Sequence, residues 1–98
     1  MRVHWTVEAK AQLKAIETHI AQDSPVIAKR TITQLAHRCR QIGELPRTGR
    51  KVPEFDRDDL RELLERPYRI IYRIKTDQID IVTLWHYRRV LPHEAVPH

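Results

Sequence analysis

The segment ERPYRIIYRIKTDQIDIVTLWHYRRV, from Glu65 to Val90, decides the fold of this chain. Its parts YRIIYRIK (68–75) and IDIVTLWHY (79–87) are rich in β-branched and aromatic residues, and the turn TDQ separates them. This pattern predicts an antiparallel β-hairpin. In the second part both alternating sets are apolar, Ile79/Ile81/Trp85 and Val82/Leu84. We therefore expect a central strand that is covered on both faces.

Two further strands are predicted upstream of this hairpin. LRELLER (60–66) precedes Pro67 and RVHW (2–5) is a short alternating segment, so both fit strands. Between them, ELPRTGRKVPEFDRDD (44–59) contains two prolines and one glycine without a sustained period. We expect a loop or an extended connection there.

The remaining segment predicts two helices. Thr6 is a suitable N-cap, and Ala9, Leu13, Ile16 and Ile20 place one apolar face on a helix that ends near Gln22. Ser24 and Pro25 are signals for a new helix start. The second apolar stripe consists of Ile27 or Ala28, Ile32, Leu35, Cys39 and Ile42. Gly43 is expected to end this helix in a left-handed conformation.

The predicted element order is β-α-α-β-β-β, an α+β fold with a helical hairpin packed on a small antiparallel sheet. The length of 98 residues supports one domain, which we place at residues 1–91. Residues 92–98, PHEAVPH, are expected to form a flexible tail.

Composition limits the function classes. Eighteen Lys and Arg against 13 Asp and Glu give a net charge of +5, which favours an anionic partner, either nucleic acid or an acidic protein. Cys39 is the only cysteine, so no internal disulfide is possible and a reducing cytoplasm is expected. No apolar run is long enough to span a membrane, and the first ten residues lack the apolar core of a signal peptide. The histidines have no ligand spacing with one another or with Cys39, so neither a metal nor another cofactor is predicted.

Taken in order, these segments resemble the ParE/RelE superfamily of toxins from bacterial type II toxin–antitoxin pairs. The matching features are the opening strand with Trp5, the paired helices with SP between them, LPRTGRKVPE, LRELLERPYRIIYRI and LWHYRRVL. They cover roughly residues 2–91, and the combination is more specific than any one of them. The long hairpin and the P-x-x-G-R-x-V-P-E stretch, Pro46 to Glu54, resemble the ParE branch more than the RelE branch.

The resemblance implies one of two mechanisms. ParE-type toxins inhibit DNA gyrase, trap its cleaved-DNA complex and perform no catalytic chemistry of their own. RelE-type toxins are ribosome-dependent endoribonucleases, which need a base, an acid and cations around the phosphorane. A non-toxic or degenerate member is the third alternative, because a fold does not determine function.

The candidate residues follow from these alternatives. For a ribonuclease, the catalytic candidates are His86, Tyr87 and Arg88 at the end of the last strand. The candidates for binding a target or partner are Arg50, Lys51, Arg61, Arg69, Arg73, Arg88 and Arg89. Most histidines at strand ends are structural or surface residues, so His86 also has that interpretation.

The arginines and aromatic residues have structural alternatives as well. Arg69 and Arg73 are expected to share a strand face and to form a basic stripe about 13 Å long. Such a stripe can bind phosphates or an acidic protein. The structural alternative is that these arginines form cross-strand pairs with Glu62, Asp77 or Asp80. Arg61 and Glu62 point to opposite faces, and Glu62 is expected to pair with a cross-strand arginine. Four aromatic residues, Trp5, Tyr68, Tyr72 and Trp85, are predicted to pack in or over the core.

The resemblance also implies partners. A cognate antitoxin is expected to fold against a groove between the helical hairpin and the sheet, in a complex of two toxins and two antitoxins. DNA gyrase is the expected target, with the ribosome and its mRNA as the alternative.

Overall fold

The computed structural model describes residues 1–97, so that His98, the last residue of the predicted tail, lies outside the described range. The chain forms two helices and five strands: β1 (Arg2–Trp5), α1 (Val7–Ala21), α2 (Pro25–Glu44), β2 (Arg50–Lys51), β3 (Leu60–Glu65), β4 (Tyr68–Ile74) and β5 (Gln78–His86). Short 3-10 helices occupy Pro46–Thr48 and His93–Ala95. This is the predicted α+β architecture, with one additional short strand, β2, inside the expected connection.

Both predicted helix starts are confirmed. The Thr6 hydroxyl accepts a hydrogen bond from the Ala9 amide at the start of α1, and the Ser24 hydroxyl accepts one from the Ile27 amide at the start of α2. Pro25 occupies the first turn of α2, where its missing N–H has no cost. Since only three residues separate the helices, they pack against each other as a hairpin.

The sheet has the strand order β1-β5-β4-β3-β2 and is mixed, whereas an antiparallel sheet was predicted. Strands β2 to β5 pair antiparallel, but β1 pairs parallel with β5, with Val3 opposite Ile79 and Trp5 opposite Ile81. Parallel neighbours need a long crossover connection, and the chain between β1 and β5 includes the helical hairpin and three strands. The central position of β5 is confirmed.

The two faces of the sheet carry separate apolar clusters. The cluster under the helices joins residues of α1 and α2 to the inner sheet face: Ala9, Ile16, Leu35, Cys39, Ile42, Ile70, Tyr72, Ile79, Ile81 and Leu84. The cluster on the opposite face comprises Val52, Leu60, Ile71, Val82, Leu91 and Val96. The helical hairpin therefore covers one face, and loops and the carboxy-terminal segment cover the other.

A β-bulge in β5 changes the predicted face assignment. Ile71 of β4 lies opposite Thr83 and Tyr72 lies opposite Ile81, so Val82 is an extra residue without an opposite partner. Beyond the bulge the alternation shifts by one residue. Leu84 consequently packs with Ile79 and Ile81, and Trp85 packs beside the cluster that contains Val82. The predicted sets Ile79/Ile81/Trp85 and Val82/Leu84 were therefore wrong at Leu84 and Trp85.

Thr6 connects this bulge to α1. Its hydroxyl lies 2.8 Å from the Ile81 carbonyl oxygen and 3.0 Å from that of Val82, while it also accepts the Ala9 amide. One side chain thus caps the helix and hydrogen-bonds carbonyls at the irregular part of the ladder.

Gly43 does not end α2, contrary to the prediction. The helix continues to Glu44, and no glycine in the described chain has a positive φ. A Cβ atom at residue 43 would lie 2.7 Å from Val3 Cγ2 and 2.8 Å from the Met1 carbonyl oxygen. Glycine is therefore needed here because the amino-terminal segment crosses close to the helix.

The segment predicted to be a flexible tail packs on the sheet as far as it is described. Val96 is buried in the same cluster as Leu91, the last residue of the predicted domain, and Arg73 donates a hydrogen bond to the Pro97 carbonyl oxygen. Apolar contacts and this hydrogen bond connect the segment to the sheet, although its sequence has no regular pattern. Within residues 1–97, no helix has the length and hydropathy that crossing a bilayer requires.

Candidate target-binding surface

Arg69 lies at the centre of an ion-pair network on the sheet face opposite the helices. Its Nε donates to Glu62 Oε1 at 2.7 Å, and its Nη1 and Nη2 donate to the two carboxylate oxygens of Glu54 at 3.0 and 2.7 Å. The side chains of Arg69 and Glu62 are only 9% and 5% exposed. Three charge-assisted hydrogen bonds thus hold the guanidinium in a fixed orientation.

The strand register explains how these charges meet. Glu62 faces Ile71 across β3 and β4, and Arg69 is two residues away on the same face. Arg50 lies directly opposite Glu62 in the β2–β3 pair and donates from its Nε to Glu62 Oε2 at 2.8 Å. The prediction that Glu62 pairs with a cross-strand arginine is confirmed, and both flanking strands supply one.

The network lines an open cleft of about 540 Å³, whose other walls include Thr48, Pro53, Leu63, Leu64 and Tyr87. Arg50 is exposed at the mouth and Arg69 is buried below it. Two arginines against two glutamates make the network close to neutral. The cleft therefore does not have the uncompensated positive charge that would attract a phosphodiester.

The pairing of Arg69 with Glu54 favours the charged form of both groups. The hydrogen bonds from Arg69 lower the pKa of Glu54 despite some desolvation, and the same hydrogen bonds raise the pKa of Arg69 further. Glu54 is thus a poor proton donor near neutral pH, and Arg69 keeps its charge. The pairs position side chains and do not resemble an acid–base centre.

Arg61 has a structural role in the preceding connection. Its Nη2 donates to Asp58 Oδ1 at 2.7 Å and its Nη1 to the Gly49 carbonyl oxygen at 3.1 Å. The Tyr72 hydroxyl accepts from the Gly49 amide at 2.9 Å and donates to the Pro46 carbonyl oxygen at 2.7 Å. These bonds attach residues 46–59 to the sheet.

Gly49 is required by close packing in this connection. A Cβ atom there would lie 2.4 Å from the Glu62 carbonyl oxygen and 2.6 Å from the Tyr72 hydroxyl. The neighbouring Lys51, on the edge strand β2, is exposed, and no carboxylate in the described chain forms an ion pair with it. In the described chain Lys51 therefore has no ion-pair partner, whereas Arg61 is bonded to Asp58 and Gly49.

The end of β5 brings His86, Tyr87 and Arg88 into contact. The rings of His86 and Tyr87 stack with centroids 5.4 Å apart, and Arg88 Nε donates to the Tyr87 hydroxyl at 3.1 Å. The Arg88 amide donates to His86 Nδ1 at 3.2 Å, which makes this ring nitrogen an acceptor. The three candidates are thus adjacent, in an exposed turn.

Two of these side chains open onto different clefts. His86 lines a cleft of about 230 Å³ beside α1, together with Gln12, His19 and Tyr68, whereas Tyr87 lines the cleft that contains Arg69. The guanidinium of Arg89 lies 4.9 Å from the Trp85 ring centroid. The turn therefore presents polar groups in several directions and encloses no common space around all three.

Arg69 and Arg73 share a face, as predicted, but they do not form a free basic stripe. Glu54 and Glu62 neutralise Arg69, and Arg73 bonds to the carboxy-terminal segment. Lys75, and not Arg73, pairs with Asp80.

Sequence reasoning did not assign Glu54 a role in the site. The available signal was its place as the last residue of the P-x-x-G-R-x-V-P-E stretch, but its partner is 15 residues away in β4. In the described part of the chain, no group of three or more His, Cys, Asp or Glu side chains converges in a geometry that suits a metal ion.

Comparison with known proteins places this chain among bacterial toxins. Residues 3–91 match the family model described as "ParE toxin of type II toxin-antitoxin system, parDE". "Toxin RelE2" of Caulobacter vibrioides is 34% identical over 90 residues, which cover 91% of this chain and 98% of that protein. The solved structure titled "Chromosomal ParDE TA system from P. aeruginosa" superposes with a TM-score of 0.73 at 26% identity, covering 88% of this chain and 95% of that one.

Proposed function

The chain belongs to the ParE toxin family of type II toxin–antitoxin systems, and on this premise we propose that it arrests growth by inhibiting DNA gyrase and trapping cleaved DNA. In this mechanism the toxin is a binding protein, and its surface has to recognise another protein. Gyrase acts on chromosomal and plasmid DNA, so the proposed site of action is the cytoplasm.

The neutralised cleft is the observation that favours a protein target. Arg69 is paired with Glu54 and Glu62, and Arg50 shares the second carboxylate. An RNA phosphate entering this cleft would meet two carboxylates beside two already paired guanidiniums. A protein surface with its own polar and apolar groups suits the mixture of Leu63, Leu64 and charged side chains better.

The direct test is a supercoiling assay with the purified chain, gyrase, ATP and relaxed plasmid. We expect loss of supercoiling together with accumulation of linear, cleaved DNA. Unchanged supercoiling, with a preparation that still arrests growth when expressed, would refute the proposal. Arg50→Ala/Lys51→Ala tests the exposed rim of the cleft, and Lys10→Ala/Lys14→Ala on α1 removes the same charge elsewhere as the control.

A ribosome-dependent endoribonuclease is the second candidate. It is favoured by the mutual contacts of His86, Tyr87 and Arg88 and by the name of the Caulobacter relative, "Toxin RelE2". His86 would transfer protons and Arg88 would stabilise phosphorane charge. If this candidate is correct, His86→Ala/Tyr87→Phe abolishes growth arrest and mRNA cleavage, whereas full growth arrest by that variant counts against it.

Membership in this family also implies a cognate antitoxin. We propose that its folding segment binds the junction of the helical hairpin and the sheet, where a cleft of about 270 Å³ includes Ile20, Ile27 and Tyr68. Ile27 is half exposed there and offers apolar area to a partner. We expect two toxins and two antitoxins, and light scattering of the purified complex would reveal a different stoichiometry by its mass.

A further inference from the structure

The solvent face of α2 carries an unpaired concentration of positive charge. Helix α2 contains four Lys and Arg residues and one Glu, a net charge of +3 out of +5 for the whole chain. Helix α1 has two lysines and two glutamates and is balanced. The basic excess is therefore localised, and most of it lies on one helix.

The exposed members of this set lie on a single stripe. With 3.6 residues per turn, the exposed Lys29, Arg30 and Arg40 fall within an arc of about 100°, opposite the buried side of the helix, and His37 lies on the same arc. Arg38 lies outside this arc and pairs with Glu65, and the exposed Glu44 lies on the arc one turn beyond Arg40. At 1.5 Å per residue, the stripe from Lys29 to Arg40 is about 16 Å long. We call Lys29, Arg30, His37 and Arg40 the α2 basic face.

The cations of the α2 basic face have no internal counter-ion. Among residues 1–97, no carboxylate forms a salt bridge with Lys29, Arg30 or Arg40, although ion pairs engage Arg50, Arg57, Arg61 and Arg69 elsewhere. Binding an external polyanion would consequently not have to break existing pairs.

We propose that the α2 basic face binds the phosphate backbone of duplex DNA. Three cations held by one helix, two at one end and one about 16 Å away, can contact separate phosphates, and backbone contacts of this kind do not depend on sequence. This inference goes beyond the inhibition of gyrase and does not depend on it.

Two features distinguish duplex DNA from other anionic partners. Between Lys29 and Arg40 no large hydrophobic side chain is exposed, and the exposed Val26 and Leu45 lie only beyond the two ends of the face, whereas protein interfaces usually have an apolar centre. Helix α2 also has no Phe, Tyr or Trp, the side chains on which the bases of single strands stack. The centre of the face thus provides charge without the apolar or aromatic groups that an acidic protein or a single-stranded RNA would use there.

The experiment is fluorescence anisotropy with a labelled 20-base-pair DNA duplex of arbitrary sequence, as a function of salt concentration. If three cations each neutralise one phosphate, affinity falls about 40-fold between 50 and 200 mM salt, and with one cation it falls about 3.5-fold. The test variant is Arg30→Gln/Arg40→Gln, and Lys10→Gln/Lys14→Gln on α1 is the control with the same change in net charge.

We expect the test variant to bind more weakly with the shallower salt dependence, and the control to behave as the wild type. Circular dichroism verifies that both variants are folded. We expect them to be, because the substituted positions are exposed and Gln is a good helix former. Equal weakening in both variants would refute the inference, because net charge alone would then explain binding. Tighter binding of a poly-glutamate peptide than of the duplex at equal salt would also overturn it.

Discussion

Replacing Arg69 with Met removes the centre of the ion-pair network and tests whether it stabilises the fold. The change leaves Glu62, 5% exposed, with only Arg50 as a partner, and it removes both hydrogen bonds that Glu54 accepts from the Arg69 guanidinium. Breaking a buried ion pair from one side costs about 3–5 kcal/mol. Because Arg50 still compensates Glu62 and Glu54 is partly solvated, we expect a loss near the lower limit, about 3 kcal/mol in the free energy of unfolding.

The assay is urea denaturation followed by circular dichroism at neutral pH. Arg47→Met is the matched control, since its pair with Asp58 is exposed at both ends, 64% and 60%, and should contribute less than about 1 kcal/mol. Arg69→Met/Glu62→Leu should recover much of the loss, because it no longer buries an undercompensated carboxylate. A loss of less than about 1 kcal/mol for Arg69→Met, equal to that of the surface control, would refute this reasoning.

Three further outcomes are expected. Thr6→Ala should destabilise the chain more than Ser24→Ala, because Thr6 caps α1 and also hydrogen-bonds two carbonyls at the bulge. Ser24→Ala loses only a helix cap, worth about 0.5–2 kcal/mol. Equal losses of stability in thermal denaturation would contradict this role of Thr6. Burial raises the pKa of Cys39 to about 12, so the thiol should resist a thiol reagent such as DTNB at pH 8 in the native protein. It should react fully in denaturant. Fast labelling of the native protein would contradict this expectation and show that the core opens around Cys39. The hydrogen bond from Arg69 lowers the pKa of Glu54, so the stability that ionised Glu54 contributes is present above the unfolded pKa of about 4.3 and is lost as pH falls through the folded pKa. The difference in unfolding free energy between wild type and Glu54→Gln should therefore shrink from pH 6 to pH 3. A difference that stays constant over this range would argue against the pairing.

The sequence predicted the helices well because their signals are local. Thr6, Ser24 and Pro25 act within one helical turn of their own positions, and the apolar stripes repeat over several turns. The central strand β5 was also recognisable, since a strand covered on both faces has to be apolar on both sides.

The bulge, the direction of β1 and the packing of the carboxy-terminal segment were not predictable in this way. In β5 both alternating sets are apolar, so a shift of one residue at Val82 leaves no trace in the hydrophobic pattern. The pairing of β1 with β5 joins residues more than 70 positions apart, and Val96 is buried by contacts made only in the folded chain.

The candidate site was predicted as a set of residues but not as a charge balance. Arg50, Arg61 and Arg69 could be identified as candidate binding residues, yet their carboxylate partners come from other elements. Counting cations along a sequence therefore overestimated the positive charge of this surface, and the four-residue stripe on α2, which had no such partners, was overlooked.

The extra residue at Val82 bears on the turn at the end of β5, His86 to Arg89. These residues leave the sheet only four positions after the bulge, where His86 lies opposite Tyr68 of β4. Deleting Val82 would remove the bulge but leave residues 83–86 opposite the same β4 partners, so the turn would keep its orientation and every one of its side chains. The deletion therefore probes the bulge and its hydrogen bonds to Thr6 separately from the orientation and chemistry of the turn.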